Sequence, residues 1–482
     1  MRLAVTFRVL GVLLMLFSST MIPPMVVSVL YQDQHLQPFA AGFGIILLLG
    51  VLFWYPTRHV HKELRTRDGF VVTVLIWTVL CLASAIPLLL STNPHLSVAD
   101  AVFEAVSGLT TTGGTVITGI DRLPPSILWY RQQLHWLGGM GIIVLAVAVL
   151  PMLGIGGMQL YRAEAPGPVK DTKLTPRITE TAKALWYIYL GLTIACLLAY
   201  WAAGMSLFDA IGHAFSTVAT GGFSTHDASI GFYNSPVIDF ITIVFMLLGA
   251  VGFSLHFLAF RQRDLTVYLR DPEFLFFIST MALVSLVTVL ILAATETYNL
   301  PESLLKGIFE VVSIATTTGY ATADFSQWPL MLPFLLFLVT FMGGCAGSTG
   351  GGMKVMRVML IFKQGLREMR RLIHPSAVVP VKLGRRPVPD RVLEAVWGFF
   401  SIYMFMFVLL LLVLLASGLD QVTAWTAVAA CINNLGPGLG DVTYHFGEIN
   451  DTAKWALSFA MVLGRLEVFT VLILFTPEFW RR

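Results

Sequence analysis

Four times along this chain a half-length apolar segment runs into a short glycine-bearing loop, and a longer apolar segment follows. The loops read Thr110-Thr111-Thr112-Gly113-Gly114, Ala219-Thr220-Gly221-Gly222-Phe223, Thr316-Thr317-Thr318-Gly319-Tyr320 and Asn433-Asn434-Leu435-Gly436-Pro437. Aligned on Gly113, Gly222, Gly319 and Gly436, they recur at intervals of about 100 residues, too long for a solenoid period. A serine stands six positions before the glycine in the first three, at Ser107, Ser216 and Ser313. Membrane proteins built from repeated multi-helix units show repetition of this kind. Four like loops in one polypeptide predict a ring of approximate fourfold symmetry, and the centre of such a ring is a pore.

A pore needs a membrane, and here composition matters. Hydrophobic residues make up 56% of the chain and charged residues 12%, where a soluble domain carries about 25% charged. Apolar runs at 240–260, 274–294 and 396–417 exceed the ~18 residues that cross a bilayer as a helix. The first run, 9–30, follows Arg2 and Arg8 but is long for a signal peptide, and a second run follows at once; it reads as a retained helix. Most of the 31 lysines and arginines fall in 57–69, 153–183, 261–272, 354–391 and the chain ends. That bias puts these stretches and both termini in the cytoplasm. It also explains the basic runs without nucleic acid. Cys81, Cys196, Cys345 and Cys431 sit in apolar contexts without metal-like spacing and read as packing residues.

The chain therefore divides into two leading helices (1–60) and four repeats, 61–160, 161–263, 264–375 and 376–482. Each repeat has a long helix, a short helix, a loop and a second long helix. The second long helices are expected at 134–153, 237–260, 330–362 and 453–474. The fold class is an all-α polytopic membrane protein, with about ten transmembrane helices and four re-entrant pore helices in pseudo-fourfold arrangement. A short helix of ~11 residues rises ~16 Å, half the hydrocarbon core, so it can only dip in and return. Asp100 and Asp209 near the starts of the first two complement the positive helix end. The opposite ends then direct partial negative charge inward, which favours a cation. Ordinary extracellular turns are the competing reading, and recurrence in four matching places argues against it.

A dehydrated cation needs hard oxygen ligands, which backbone carbonyls supply without fixed charge. Glycine allows the backbone turn, and threonine adds hydroxyl oxygens. Thr110, Thr111, Thr112 and Gly113, then Thr220, Gly221 and Gly222, then Thr317, Thr318 and Gly319, then Asn434, Leu435 and Gly436 fit that requirement. With one aligned glycine per loop instead of the full Thr-Val-Gly-Tyr-Gly of tetrameric potassium channels, fewer ordered carbonyl rings are expected, and discrimination against sodium is expected to be weaker.

A second constellation, Gly343-Gly344-Cys345-Ala346-Gly347-Ser348-Thr349-Gly350-Gly351-Gly352, interrupts the apolar span of the third repeat. Six glycines in ten residues unwind a helix. An unwound stretch below a filter is a candidate gate; a tight small-residue helix crossing is the alternative. Arg465, deep in an apolar span, must face the interior. Its partner is either the carbonyls of this glycine stretch or the neighbourhood of Glu467, which lies off its own helix face. His213 and His256 are lone histidines in apolar runs, and His226-Asp227 reads as a turn. No phosphate-cradling loop, triad spacing or zinc motif appears, so no enzyme and no nucleotide-hydrolysing module is expected.

With Ser107-Gly-Leu-Thr-Thr-Thr-Gly, Gly138-Gly-Met-Gly-Ile-Ile-Val-Leu, Gln159-Leu-Tyr-Arg-Ala-Glu, Gly221-Gly-Phe-Ser-Thr-His, the 343–352 stretch, Asn433-Asn-Leu-Gly-Pro-Gly-Leu-Gly and Gly464-Arg-Leu-Glu-Val in hand, the whole chain resembles the TrkH/TrkG membrane subunits of bacterial Trk potassium uptake systems, within the Trk/Ktr/HKT superfamily. The two leading helices favour Trk over Ktr. The resemblance implies potassium (or rubidium) as the transported ion and a bacterial cytoplasmic-membrane location. It further implies a homodimer with one pore per protomer, and a TrkA-type cytoplasmic regulatory ring that carries the nucleotide. It places Gly113, Gly222, Gly319 and Gly436 in the filter, 343–352 in the gate, and Arg465 as its holder. The fourth loop departs from the threonine-rich pattern. An alternating-access transporter, which also has broken helices, and a membrane scaffold remain as competing functions; passive rubidium flux against absolute proton dependence separates the first two.

Overall fold

Most helix starts and stops are set by local signals, and two breaks are set by contacts between repeats. In the computed structural model, which describes residues 3–59, 66–144, 178–384 and 386–481, α1 (Leu3–Ser18) and α2 (Ile22–Tyr31) run on as one span, and α3 (Leu36–Trp54) returns beside them. Their crossing is close: a Cβ added at Gly11 would stand 2.7 Å from the carbonyl oxygen of Gly50. Only small residues permit that approach.

The first repeat holds α4 (Thr66–Leu90), α5 (Val98–Leu109) and α6 (Pro125–Val144). The second holds α7 (Ile178–Ala202), α8 (Leu207–Val218), α9 (Pro236–Ala250) and α10 (Phe253–Gln262). In the third come α11 (Pro272–Ala294), α12 (Leu300–Ala315), α13 (Leu332–Thr340) and α14 (Val355–Ile373). The fourth has α15 (Asp390–Ala416), α16 (Gln421–Ile432), α17 (Asp451–Arg465) and α18 (Val468–Leu472). Among the described residues the only strands are β1 (Lys382–Leu383) and β2 (Arg386–Pro387), a small antiparallel hairpin. Among the described residues six spans are long and apolar enough to cross a membrane unbroken, and two bent pairs raise the number to eight. Residues 145–177, which contain most of the basic stretch 153–183 and the Gln159 motif, lie outside the described residues.

Two expected continuous helices are broken. In place of 237–260, α9 and α10 meet at 96°, and in place of 453–474 the chain bends by 112° after Arg465. At the first break Gly252 is so close to the third repeat that a Cβ there would lie 2.6 Å from the Ala346 carbonyl oxygen. At the second, Glu467 takes a left-handed backbone, φ 57°. Both breaks fit around the 343–352 loop. Their cause lies in another repeat, so local composition cannot reveal them.

Burial is inverted relative to a soluble protein. Leu283 is 62% exposed and Leu48 60%, whereas Glu104 and Arg131 are each 1% exposed. Hydrocarbon is a tolerable neighbour for leucine but not for charge, so charge turns inward to meet a partner. The four half-length helices are the innermost elements, with α16 buried along nearly its whole length. All four cysteines are buried free thiols.

Candidate functional site

The four half-length helices begin and end alike. The side chains of Ser97, Ser206, Asn299 and Asp420 accept hydrogen bonds from backbone N–H groups of the first turn, those of Asp100, Asp209, Glu302 and Thr423 among them. Such caps satisfy donors that the helix itself cannot. At the inner ends the N–H groups of Thr112, Gly221, Thr318 and Leu435 donate to the carbonyls of Ser107, Ser216, Ser313 and Ala430, each at 2.8 Å. This closure requires a left-handed residue just before the donor. Thr111 (φ 52°), Thr220 (51°), Thr317 (60°) and Asn434 (57°) take that role. A β-branched residue is rare in this conformation, while asparagine adopts it readily. The fourth loop thus departs in sequence yet keeps the same backbone. Ala430 serves because only the backbone carbonyl is needed. Two of the serine hydroxyls do other work: Ser216 meets His135 Nδ1 at 2.9 Å and Ser313 donates to the Tyr320 carbonyl at 2.6 Å.

Two residues further on, the glycines repeat the left-handed turn at φ 84°, 87°, 83° and 98°. They close a ring. A Cβ at Gly113 would stand 2.0 Å from the Gly221 oxygen, one at Gly222 2.0 Å from Thr318, one at Gly319 2.1 Å from Leu435, and one at Gly436 2.7 Å from Thr112. Each loop therefore abuts the next in the order 1–2–3–4–1, and the contacting oxygen is always the residue preceding the next glycine. Outside this level the connections close again. Asp227 accepts from Ile120 N at 2.9 Å, Gly231 N donates to the Ala321 carbonyl at 3.1 Å, Tyr444 donates to Asp324 at 2.6 Å, and Phe446 N donates to the Thr115 carbonyl at 2.7 Å. His226-Asp227 is thus more than a turn: it ties the first loop to the second. Four uncharged hard oxygens at one level can replace water around a monovalent cation.

Behind the ring stands a set of acceptors that sequence reading missed. Nine positions before the aligned glycine lie Glu104, His213 and Glu310. Glu104 accepts from Val116 N at 2.9 Å and pairs with Arg131 at 2.8 Å. Glu310 accepts from Thr322 N at 2.7 Å and Ala323 N at 3.1 Å. His213 Nε2 lies 2.9 Å from Ser224 Oγ, and in the fourth repeat Thr426 accepts from Leu439 N at 2.9 Å. Each holds the strand of chain leaving its loop. The common offset was readable once the glycines were aligned. Threonine hydroxyls also serve the scaffold: Thr110 and Thr316 donate to Val106 and Val312 carbonyls at 2.7 Å. Asn434 Nδ2 donates to Thr112 Oγ1 at 2.9 Å, joining the fourth loop to the first.

The 343–352 stretch is non-helical and lies against the inner ends of three of these helices. Gly343, Gly347 and Gly352 have left-handed φ of 65°, 72° and 73°. Thr349 Oγ1 donates to the Val218 carbonyl of the second repeat at 3.0 Å, Gly351 N to Thr317 Oγ1 at 2.6 Å, and Gly352 N to the Asn433 carbonyl at 3.1 Å. The broken α9 holds the loop from the side, with its Ala250 carbonyl accepting from Cys345 N at 2.8 Å and its Gly249 carbonyl from Thr349 N at 3.2 Å. Ala346 N donates to Glu273 at 2.7 Å, Ser348 Oγ to the Cys345 carbonyl at 2.6 Å, and Lys354 reaches the Gly350 carbonyl. Gly344 N and the Gly351 carbonyl meet at 3.3 Å. Arg465 donates to the Thr349 carbonyl at 2.8 Å, whereas Glu467 turns away to Arg357 at 2.9 Å. Of the two partners open to Arg465, the structure brings the glycine stretch.

A family model described as a cation transport protein, TrkH, matches residues 35–482. The chain is 59% identical to the Trk system potassium uptake protein TrkH of Halomonas elongata, with full coverage of both. It is 53% identical to TrkH of Escherichia coli K12 over 98% of each. A solved structure, the potassium transporter TrkH from Vibrio parahaemolyticus, superposes with a TM-score of 0.93 at 53% identity and covers both chains completely.

Proposed function

Because this chain belongs to the TrkH family of cation transport proteins, which are transporters and not enzymes, we propose that it takes up potassium across the bacterial cytoplasmic membrane. In this reading the ion passes through an oxygen-lined filter formed by Thr110–Gly113, Thr220–Gly222, Thr317–Gly319 and Asn434–Gly436. The observation that carries it is the cyclic contact of four glycines with four carbonyls, in which no larger side chain fits. The 343–352 loop acts as the gate, because bonds to the feet of the second, third and fourth pore helices set it across the inner end of the ring. Arg465 holds it there. The five sequence divisions then correspond to a leading hairpin and four pore repeats.

The protein works as a homodimer with one pore per protomer and both termini cytoplasmic. A TrkA-type ring docks on the basic inner face, where Arg370 and Arg371 stand in the last turn of α14. Nucleotide belongs to that partner; potassium, with rubidium as substitute, is cargo. Rubidium and sodium uptake by reconstituted Gly113→Leu tests the filter: lost flux or lost discrimination is expected, and unchanged values sink the assignment. Sodium permeation, favoured by the single aligned glycine per loop, or proton coupling is the second reading. Rubidium uptake that follows its gradient without a proton gradient decides for the passive pore.

A further inference from the structure

Arg465 is only half of what the fourth repeat does to the glycine loop. Two residues later, where the chain breaks between α17 and α18, Glu467 is held at φ 57°. Its carboxylate accepts from Arg357 Nη2 at 2.9 Å. Arg357 lies in the first turn of α14, immediately beyond the loop, and is 3% exposed. Its guanidinium also donates to the Met353 carbonyl at 3.2 Å and stacks over Phe399 of α15, 4.3 Å from the ring centroid. One rigid break thus reaches the loop at two points. Arg465 takes the Thr349 carbonyl inside it, and Glu467 takes the residue that anchors its exit.

We propose that the Glu467–Arg357 pair is a positioning strut that fixes the start of α14 and so holds the loop in its blocking position; this rests on the gate reading above. The geometry supports it, although Val355 N also donates to the Gly344 carbonyl at 3.1 Å. The loop runs into α14 through Lys354, which has a left-handed φ of 76°, so rotation at that junction moves Gly350, Gly351 and Gly352 off Thr317 and Asn433. Arg465 constrains only Thr349. Without the strut, α14 pivots about that point and carries the last turn of the loop with it. Glu467 is the accessible member, one-third exposed, whereas Arg357 is enclosed. A partner acting on the cytoplasmic end of α14 would therefore pull against this ion pair first.

The test uses the full-length protein in vesicles with no cytoplasmic partner. Glu467→Gln is expected to raise basal rubidium influx roughly tenfold, a coupling of ordinary allosteric size, while the rubidium-to-sodium ratio stays unchanged. Cys345, buried within the loop, reports the loop directly: its labelling by a membrane-impermeant maleimide from the inner face should rise in parallel. The double variant Arg357→Gln/Glu467→Gln should leak no more than Glu467→Gln alone, because both remove one interaction. A merely structural role would lower flux and folded yield together. Arg465→Gln separates the two levels. If it raises influx and Glu467→Gln does not, the strut is refuted and the gate stands. If neither changes influx, the gate reading falls and the strut with it.

Discussion

Replacing each ring glycine by alanine gives four results that should differ in a set order. Every alanine must adopt the left-handed φ of 83–98° seen at these positions, at about 1–2 kcal/mol for an L-residue. The second cost depends on the neighbour. At Gly113, Gly222 and Gly319 the new Cβ would stand 2.0, 2.0 and 2.1 Å from a carbonyl oxygen, and at Gly436 2.7 Å. Relief of the first three requires a displacement of roughly 1 Å of a carbonyl that belongs to the ring itself; the fourth needs only a few tenths of an ångström. A 1 Å misplacement of a positioned group costs about 100-fold in a tuned site. Rubidium uptake in reconstituted vesicles should therefore fall about 100-fold or more for Gly113→Ala, Gly222→Ala and Gly319→Ala. For Gly436→Ala, where backbone strain dominates, about tenfold is expected. Equal losses at all four positions, or the greatest loss at Gly436, would refute the reasoning from neighbour distances.

Two further outcomes follow from groups behind and outside the ring. Glu104→Gln leaves Arg131 buried without its ion-pair partner, a change that costs about 3–5 kcal/mol; a clear fall in the thermal unfolding midpoint in detergent, without aggregation of the native protein, checks it. His226 bridges Asp121 at 2.6 Å and Asp209 at 3.8 Å. Burial alone would lower its pKa, but the hydrogen bonds to Asp209 and Asp121 outweigh burial and raise it above the ordinary 6.5. A raised base gives stability that is full below 6.5 and lost as pH rises through the shifted value. Asp121, lowered from 3.8 by His226 and Asp227 hydrogen bonds that outweigh its partial burial, gives stability present above 3.8 and lost only in strong acid. The external tie between the first two loops should thus be tightest in mildly acidic medium and loosen on the alkaline side, and His226→Gln should abolish that slope in unfolding measurements between pH 6 and 9.

Much of this architecture was legible because each repeat announces itself with the same local chemistry. The loops were found by aligning one glycine, and the half-length helices by their apolar length between a polar cap and that glycine. What was hidden depends on contacts between repeats. Nothing at Val251-Gly252 marks a 96° bend, because the carbonyl that crowds Gly252 belongs to Ala346 in another repeat. Glu104, His213 and Glu310 form a set only by their shared offset, because a histidine does in the second repeat the job that glutamates do in the first and third. The fourth loop departs from the others in sequence. Its asparagine nonetheless adopts the same left-handed turn as the threonines, with less strain. Lone His213 proved part of the scaffold, whereas His226-Asp227 joins two loops.

The glycine-rich loop has a consequence for why four repeats share one polypeptide. It springs from the third repeat alone yet touches the feet of the second, third and fourth. In a homotetramer every subunit would carry such a loop, and four copies cannot occupy one axis. A central obstruction drawn from a single side is forbidden by exact rotational symmetry. Covalent linkage of the repeats lifts that prohibition, since each quarter can diverge while the ring of oxygens stays nearly regular. The inequality of the quarters is then what lets a single repeat supply a loop that bonds to three pore helices at once.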